Sequence, residues 1–383
     1  MKVGIVVPYS FSFWGGVVEH AEEQARALAD LGIQTRLLIG HDPPGRVSSL
    51  LHPAGGRFEP PPAHVIPLGR SVIVPANHSL ANIVLSPASV RRLRRALSRE
   101  RFDLVHVHEP LTPALGVAAL ASAVCPVVAT FHAAGHSRWR APARSLWGFL
   151  LERIDLRVAV SDAAAETARS YAPGDYLVIP NGVRMPEEVS LDGRRQHVLY
   201  VGRHEPRKGL GVLMRAWPQV RRSTGARLRV VGADPLSVRH LLARERIPPE
   251  GIDLLGHLSP DDLDRELASA KVLAAPSLGS ESFGMVLTRA FAAATPVVAS
   301  DIDGYRQLVS DRCGVLVPPA DEVSLGGALV GLLEDDVLRR RFGKLAWETA
   351  STAFSWPIIA SRLLSAYQAV LAACESGHTR LSV

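Results

Sequence analysis

At 383 residues the chain is too long for one ordinary core and suits two domains of similar size. Its 47% hydrophobic and 21% charged residues make it globular and exclude an intrinsically disordered chain. The formal net charge of +6 is modest but bunched, so local basic segments say more than the total.

The opening runs from Met1 through a short apolar segment to Pro8 and Tyr9. It reads as a strand and turn rather than a secretory leader, and a cytoplasmic protein is expected. Strands are expected at 3–7, 35–39, 104–107, 127–131 and 157–160, and again at 198–201, 228–231, 252–255, 272–275, 297–299 and 315–317, with amphipathic helical segments between them. Nearly continuous apolar strands alternating with helices mean parallel sheets covered on both faces, hence α/β domains. The longest apolar stretch, 114–131, is long enough to span a bilayer, but Pro126 divides it into an Ala-rich helix and a Val-rich strand. Segment 181–196 is rich in Pro, Gly and charge and reads as a linker between domains at 1–180 and 197–355. The last helix, in 356–383, is expected to pack across both. Cys125, Cys313 and Cys374 lack metal-ligand spacing and are expected to be reduced.

Doubly wound domains bind ligands at the carboxyl ends of their strands, which directs attention to the loops 9–18, 132–138, 202–209 and 279–284. Gly15 and Gly16 open a helix after the first strand, as a plain tight turn or as a place where backbone approaches a ligand. His132 ends a strand and is either structural or directed into a site. Loop 202–209 sets Arg203, Arg207 and Lys208 between a strand and a helix. These cations are solvated surface charge or the holders of a diphosphate leaving group. A contact ion pair gains only ~1 kcal/mol in water and several-fold more where water is partly excluded. Glu281 and Gly284 directly precede an apolar helix, whose free N–H groups and positive dipole end attract anions. Glu281 would then stand beside phosphates and hold sugar hydroxyls; the alternative is a capped helix with Glu281 as surface charge.

Segment 89–101 places Val90, Leu93 and Leu97 on one helical face with Arg91, Arg92, Arg94, Arg95 and Arg99 around it. A solvated surface helix, a nucleic-acid contact and a membrane contact are all readings of such a pattern. Four arginines near an anionic leaflet are worth ~1 kcal/mol each, which suffices for peripheral attachment. Membrane association is therefore preferred, with no nucleic-acid partner.

Gly15-Gly16, His132 after a strand, Arg203 with Lys208-Gly209, and Glu281-Ser282-Phe283-Gly284 at a helix opening together resemble the family-4 retaining glycosyltransferases. Their fold is GT-B, an α/β architecture of two Rossmann-like doubly wound domains facing across a cleft. The resemblance covers nearly the whole chain and is nearest to the members that mannosylate inositol lipids. It runs through Pro8-Tyr9-Ser10-Phe11, His106-Val107-His108-Glu109-Pro110, Ala129-Thr130-Phe131-His132, Ala159-Val160-Ser161-Asp162, Ile179-Pro180-Asn181-Gly182-Val183 and Glu205-Pro206-Arg207-Lys208-Gly209.

The resemblance implies catalytic roles for His132, Arg203, Lys208 and Glu281. It implies a donor site of Gly16, Arg203, Lys208, His257, Leu258, Glu281, Phe283, Gly284, Met285, Val286 and Arg289, and an acceptor site of Tyr9, Val18 and Arg207. Arg91, Arg92, Arg94 and Arg95 would meet the membrane. Arg289 stands where the family has a second Glu that holds ribose hydroxyls, and Ala294 where it has Gly. Val18 and Val74 replace a polar residue and an Arg that meet the acceptor. The implied reaction is a retaining transfer of a hexose, with mannose expected, from GDP-mannose or a UDP-sugar. The acceptor would be a lipid or polyol such as phosphatidylinositol at the inner face of the plasma membrane. No metal and no cofactor are implied, since the cations take the charge a metal would carry. Transfer to a soluble small molecule and non-catalytic binding of a sugar nucleotide or lipid are the rival readings.

Overall fold

The computed structural model describes residues 1–13, 15–51, 56–76, 79–135, 144–309 and 313–376. The chain divides into two compact units, 1–182 with 356–383, and 183–355.

In the first unit the strands are β1 (Lys2–Ser10), β2 (Gln34–Gly40), β3 (Val65–Pro67), β4 (Val72–Ala76), β5 (Ser79–Ile83), β6 (Leu104–His108), β7 (Val127–Phe131), β8 (Leu156–Ala159) and β9 (Leu177–Val178). Seven form a path in the order β3-β2-β1-β6-β7-β8-β9, with every pairing parallel. β4 and β5 form an antiparallel pair that touches β1 at Tyr9 and Ile83. The apolar residues of β1, β2, β6 and β7 are buried on both faces, which is why these strands read as continuous hydrophobic runs. The stretch 114–131 resolves into the helix Leu115–Ser122 and β7, as Pro126 requires.

The final helix, Trp356–Glu375, falls within the first unit. Trp356, Ile359, Ala360, Leu363, Ala366, Tyr367 and Val370 recur every three or four residues. They join the core built by the helix Gly16–Asp30 with Val3, Ile5, Leu37 and Leu104. Each such side chain contributes roughly 1.5–3 kcal/mol on burial. The helix is also long and apolar enough by composition to cross a membrane, but its inner stripe is spent on this core.

In the second unit the strands are β10 (Arg195–Val201), β11 (Arg227–Val231), β12 (Ile252–Gly256), β13 (Ala270–Ala275), β14 (Val297–Ser300) and β15 (Gly314–Val317). Their order is β12-β11-β10-β13-β14-β15, all parallel. The first strand is thus central and the order reverses between β10 and β13, the place where a doubly wound sheet opens a crevice. The corresponding reversal in the first unit lies between β1 and β6.

The expected linker 181–196 divides. Asn181 and Gly182 stay with the first unit and 183–196 with the second. The Val183 N–H donates to the Phe354 carbonyl at 2.8 Å. Arg194 donates to the carbonyls of Ala270 (2.9 Å) and Ala293 (2.6 Å) and to Thr295 Oγ1 (2.6 Å). Long-range backbone acceptors hold this polar segment, and composition does not register them.

Candidate functional site

Each unit brings together one group of chemically informative residues at or beside a point of order reversal, in the second unit on the loops that follow β10 and β13. In the first unit the group is histidine-rich. His106 and His108 alternate on β6 and so share a face, their rings stacked 4.7 Å apart within 6° of parallel. His132 follows β7, and its ring nitrogen Nε2 lies 2.8 Å from Nδ1 of His108. The backbone N–H of His132 donates to Glu109 Oε1 at 2.8 Å. His20, from the helix Gly16–Asp30, sets its ring 5.2 Å from that of His132 and 5.5 Å from that of His108. His106 is held by Thr130 Oγ1 at 2.6 Å, by the Tyr367 hydroxyl and by Gln24 at 3.0 Å.

Burial, and then the neighbouring imidazole of His106, holds His132 down at about 3. His106 is likewise pulled to about 3 by burial and by His20. Burial takes His20 and His108 well below the ordinary histidine value, with the neighbouring rings adding to it. All four rings are therefore neutral at physiological pH, able to accept or donate a hydrogen bond but not to supply positive charge.

Gly15 is the N-cap of its helix in an extended conformation with no side-chain cap, so the helix start is open. A Cβ built on Gly15 would meet nothing within 4 Å, so packing inside the unit does not require glycine there. Tyr9 lies half-buried on β1. Val18 corrects the sequence reading: it is 3% exposed and belongs to the core, because the inner face of its helix packs on the sheet, so it presents no surface to an acceptor. Of loop 132–138, residues 136–138 lie outside the described residues.

In the second unit the loop after β10 and the loop after β13 are pressed together. The Leu278 N–H donates to the Arg207 carbonyl at 2.7 Å. Gly209, at φ +70° between the short turn Pro206–Lys208 and the helix Leu210–Thr224, would place a Cβ 1.8 Å from the Pro276 carbonyl oxygen. Gly304 meets the Glu281 carbonyl in the same way, at 1.9 Å. These contacts bring the charged side chains together. Lys208 Nζ and an Arg207 nitrogen both lie 2.7 Å from Glu281 Oε1. Glu205 takes Arg203 and Arg207, each at 3.0 Å. Behind Glu281, Ser277 Oγ lies 3.4 Å from the carboxylate and 2.9 Å from the Tyr305 hydroxyl, whose pKa burial and the Glu281 charge push up. Glu281 is 10% exposed and Lys208 20%, whereas half of Arg203 faces solvent.

Gly284, at φ +82°, is the N-cap of the helix Met285–Ala292, with no side-chain cap. Phe283 is buried against Phe354, so only its backbone can meet a ligand. Met285, Val286 and Leu258 are half-buried and His257 is exposed, on the loop between β12 and the helix Pro260–Ser269. Arg289 is tied to the helix Pro260–Ser269. Its guanidinium donates to Asp264 Oδ1 at 2.7 and 3.1 Å and to the Pro260 carbonyl at 3.1 Å, and it is 15% exposed.

Residues 14–185 match the family described as Glycosyltransferase Family 4, and residues 195–335 the one described as Glycosyl transferases group 1. A phosphatidyl-myo-inositol mannosyltransferase of Mycobacterium leprae is 36% identical over 383 residues, covering 97% of this chain and 97% of that protein. The chain belongs to glycosyltransferase family 4. A phosphatidyl-myo-inositol mannosyltransferase of Mycolicibacterium smegmatis is 34% identical, covering 97% of the glycosyltransferase and 94% of its relative. The solved structure of sucrose-phosphate synthase from Thermosynechococcus elongatus has 21% identity and covers 97% of this chain and 99% of its own, with a TM-score of 0.72. The fold is GT-B, built from two Rossmann-like units.

In the sequence of this glycosyltransferase His20 carries no local signal, and His106 and His108 stand out only within the motif His106-Val107-His108-Glu109-Pro110. A histidine pair at period two on an expected strand was the available signal. Gly209 yields a direct test of how the loops after β10 and β13 are held. Gly209→Ala is expected to destabilise the second unit by more than ~2 kcal/mol, since a left-handed backbone and a carbonyl clash act together. A denaturant melt unchanged from wild type would show that the loops are not pressed as described.

Proposed function

We propose that this hexosyltransferase moves mannose with retention from a nucleotide diphosphate sugar to an inositol lipid or related polyol at the cytoplasmic face of the membrane. The observation that carries the mannose and the inositol lipid is full-length identity of 34–36% to proteins of that name. The chemistry is supported by the cation group of the second unit. Arg203 and Lys208 would bind the diphosphate and stabilise the charge it gains as the bond to C1 breaks. Glu281 would hold the sugar hydroxyls, and the open helix start at Gly284 would direct backbone N–H groups at the phosphates. His257 and Leu258 would flank the base, while Met285 and Val286 would line the donor.

In the first unit Gly16 would approach the phosphates and neutral His132 would offer a hydrogen bond to the sugar. Tyr9 and Arg207 are the remaining candidates for the acceptor. In a same-face transfer the C1–O bond to the diphosphate breaks and the acceptor oxygen bonds C1 on that face. The acceptor proton passes to the departing phosphate oxygen, so no side chain is needed as a general base. The cations neutralise the leaving group, so the reaction needs no metal ion.

The helix Pro87–Glu100 supports the membrane part of the reading. It is capped by Ser86, which accepts the Ser89 N–H at 3.1 Å, begins at Pro87 and stops at Arg101 with φ +48°. Leu93 and Leu97 are buried, and Arg91, Arg92, Arg94 and Arg95 are exposed. Changing these four arginines to Ser is expected to weaken binding to anionic vesicles, and added salt to release the wild-type protein, because screening cuts the reach of exposed charge to ~8 Å. Equal binding to neutral and anionic vesicles would remove the helix from membrane attachment.

The deciding experiment is nucleotide release from GDP-mannose, UDP-glucose and ADP-glucose, each with and without phosphatidylinositol vesicles. Release from GDP-mannose that depends on the lipid is expected. Lipid-independent transfer to free inositol would favour a soluble acceptor, and no release from any donor would favour a binding protein.

A further inference from the structure

The histidine group of the first unit is larger than a hydrogen-bonding role for His132 requires. His20, His108 and His132 are all buried, and each offers one ring nitrogen such that the three lie within 4.8 Å of one another. His108 Nδ1 and His132 Nε2 are 2.8 Å apart. Two nitrogens bound to one ion at about 2.0–2.1 Å sit about 2.9–3.4 Å from each other, so an ion can replace the hydrogen these rings share after a shift of a few tenths of an ångström. Nδ1 of His20 is buried without a hydrogen-bond partner of good geometry among the described residues, with the Gln24 side chain beside it. His106 is no ligand, because Thr130, Tyr367 and Gln24 already take its nitrogens. It stacks on His108 and fixes that ring. Glu109, 5% exposed and bonded to the His132 N–H, adds a buried negative charge beside the group.

We infer that His20, His108 and His132 form a binding site for a borderline-soft divalent ion of the zinc and copper class, and that its occupancy blocks transfer. Three neutral imidazoles suit such ions and not Mg²⁺ or Ca²⁺, which take oxygen ligands. Each ring presents a lone pair by choice of tautomer, so binding at neutral pH requires no net proton release. The ion takes no part in the reaction. It fixes the His132 ring on the metal and away from the sugar, so the inhibitory half rests on the proposed role of His132, whereas the binding half does not.

The test uses the full chain, freed of metal by a chelator and then titrated with Co²⁺ and Zn²⁺. One equivalent of Co²⁺ is expected to give the visible absorption of a low-coordinate site, which Zn²⁺ then bleaches. X-ray absorption of the zinc form is expected to show three nitrogen ligands with imidazole scattering. One equivalent of Zn²⁺ should raise the melting temperature and lower transfer at least tenfold, and chelator should restore it. His20→Gln, checked for folding by its melt in chelator, should retain the transfer rate of the metal-free protein and bind Zn²⁺ at least tenfold more weakly. Absence of a Co²⁺ spectrum, fewer than three imidazoles on zinc, or unchanged zinc affinity in His20→Gln overturns the site. Stoichiometric binding with unimpaired transfer overturns the inhibition and the role of His132, and leaves the site standing.

Discussion

Lys208→Ala is expected to lower turnover by about a hundredfold or more, the usual cost of removing a charge that meets negative charge developing in a transition state. The same is expected of Arg203→Ala. The structure sharpens what each variant reports. Lys208 is four-fifths buried and shares Glu281 Oε1 with Arg207, so its loss leaves the carboxylate paired and the fold intact. Arg203 is half exposed, and Glu205 keeps its pair with Arg207, so removal of Arg203 is expected to cost little stability. Glu281→Gln keeps the shape of the side chain while removing the charge, and a comparable loss of turnover with little change in the melt is expected. Steady-state turnover with GDP-mannose, read beside a thermal melt of each variant, is the measurement. Near-normal turnover in both Lys208→Ala and Arg203→Ala would remove the cation group from the mechanism.

The stability of the first unit is expected to fall steeply with acid, measured in chelator so that no ion competes. His20, His106, His108 and His132 all have folded-state values below the ordinary one, with His106 and His132 at about 3. An unfolded histidine takes up its proton near pH ~6.5, so below that pH the unfolded chain binds more protons than the folded one, and stability rises with pH. The contribution is complete above ~6.5 and is lost as the pH falls from there toward the folded values. A histidine held neutral costs at most about 1.4 kcal/mol per pH unit in that window. Acid is therefore expected to weaken the first unit progressively below ~6.5. In the second unit His197, lowered to about 4 by burial and by Arg229, contributes a single slope of the same sign. Urea melts between pH 7.5 and 4.5 that show no loss of stability in the first unit would mean that the four rings are protonated or hydrated in the folded protein.

Eleven strands were legible in the sequence, because a strand buried on both faces must be apolar almost throughout, and such runs stand out between amphipathic helices. The strands that escaped have local reasons. Val65–Pro67 and Leu177–Val178 are too short to carry a pattern, and Val72–Ala76, which contains Pro75, pairs with Ser79–Ile83 outside the main path of the sheet. The two loops of the second unit were also legible, since cations and a carboxylate just after strands, beside helix starts, form a local signature.

What the sequence by itself determined about this protein is therefore its family, its two α/β units and the residues that carry charge at the ends of β10 and β13. These follow from neighbours along the chain. Only the tertiary structure decided which partner each side chain meets. Val18 is a core residue because its helix turns that face to the sheet. Arg289 belongs to Asp264 because the helix Pro260–Ser269 packs beside its own. The last helix completes the first unit because Tyr367 finds His106 across 261 residues. The histidine group assembles from a helix, β6 and the end of β7, four rings of which only His106 and His108 share a local spacing. Side-chain encounters of this kind are set by strand order and helix packing, so no local pattern encodes them.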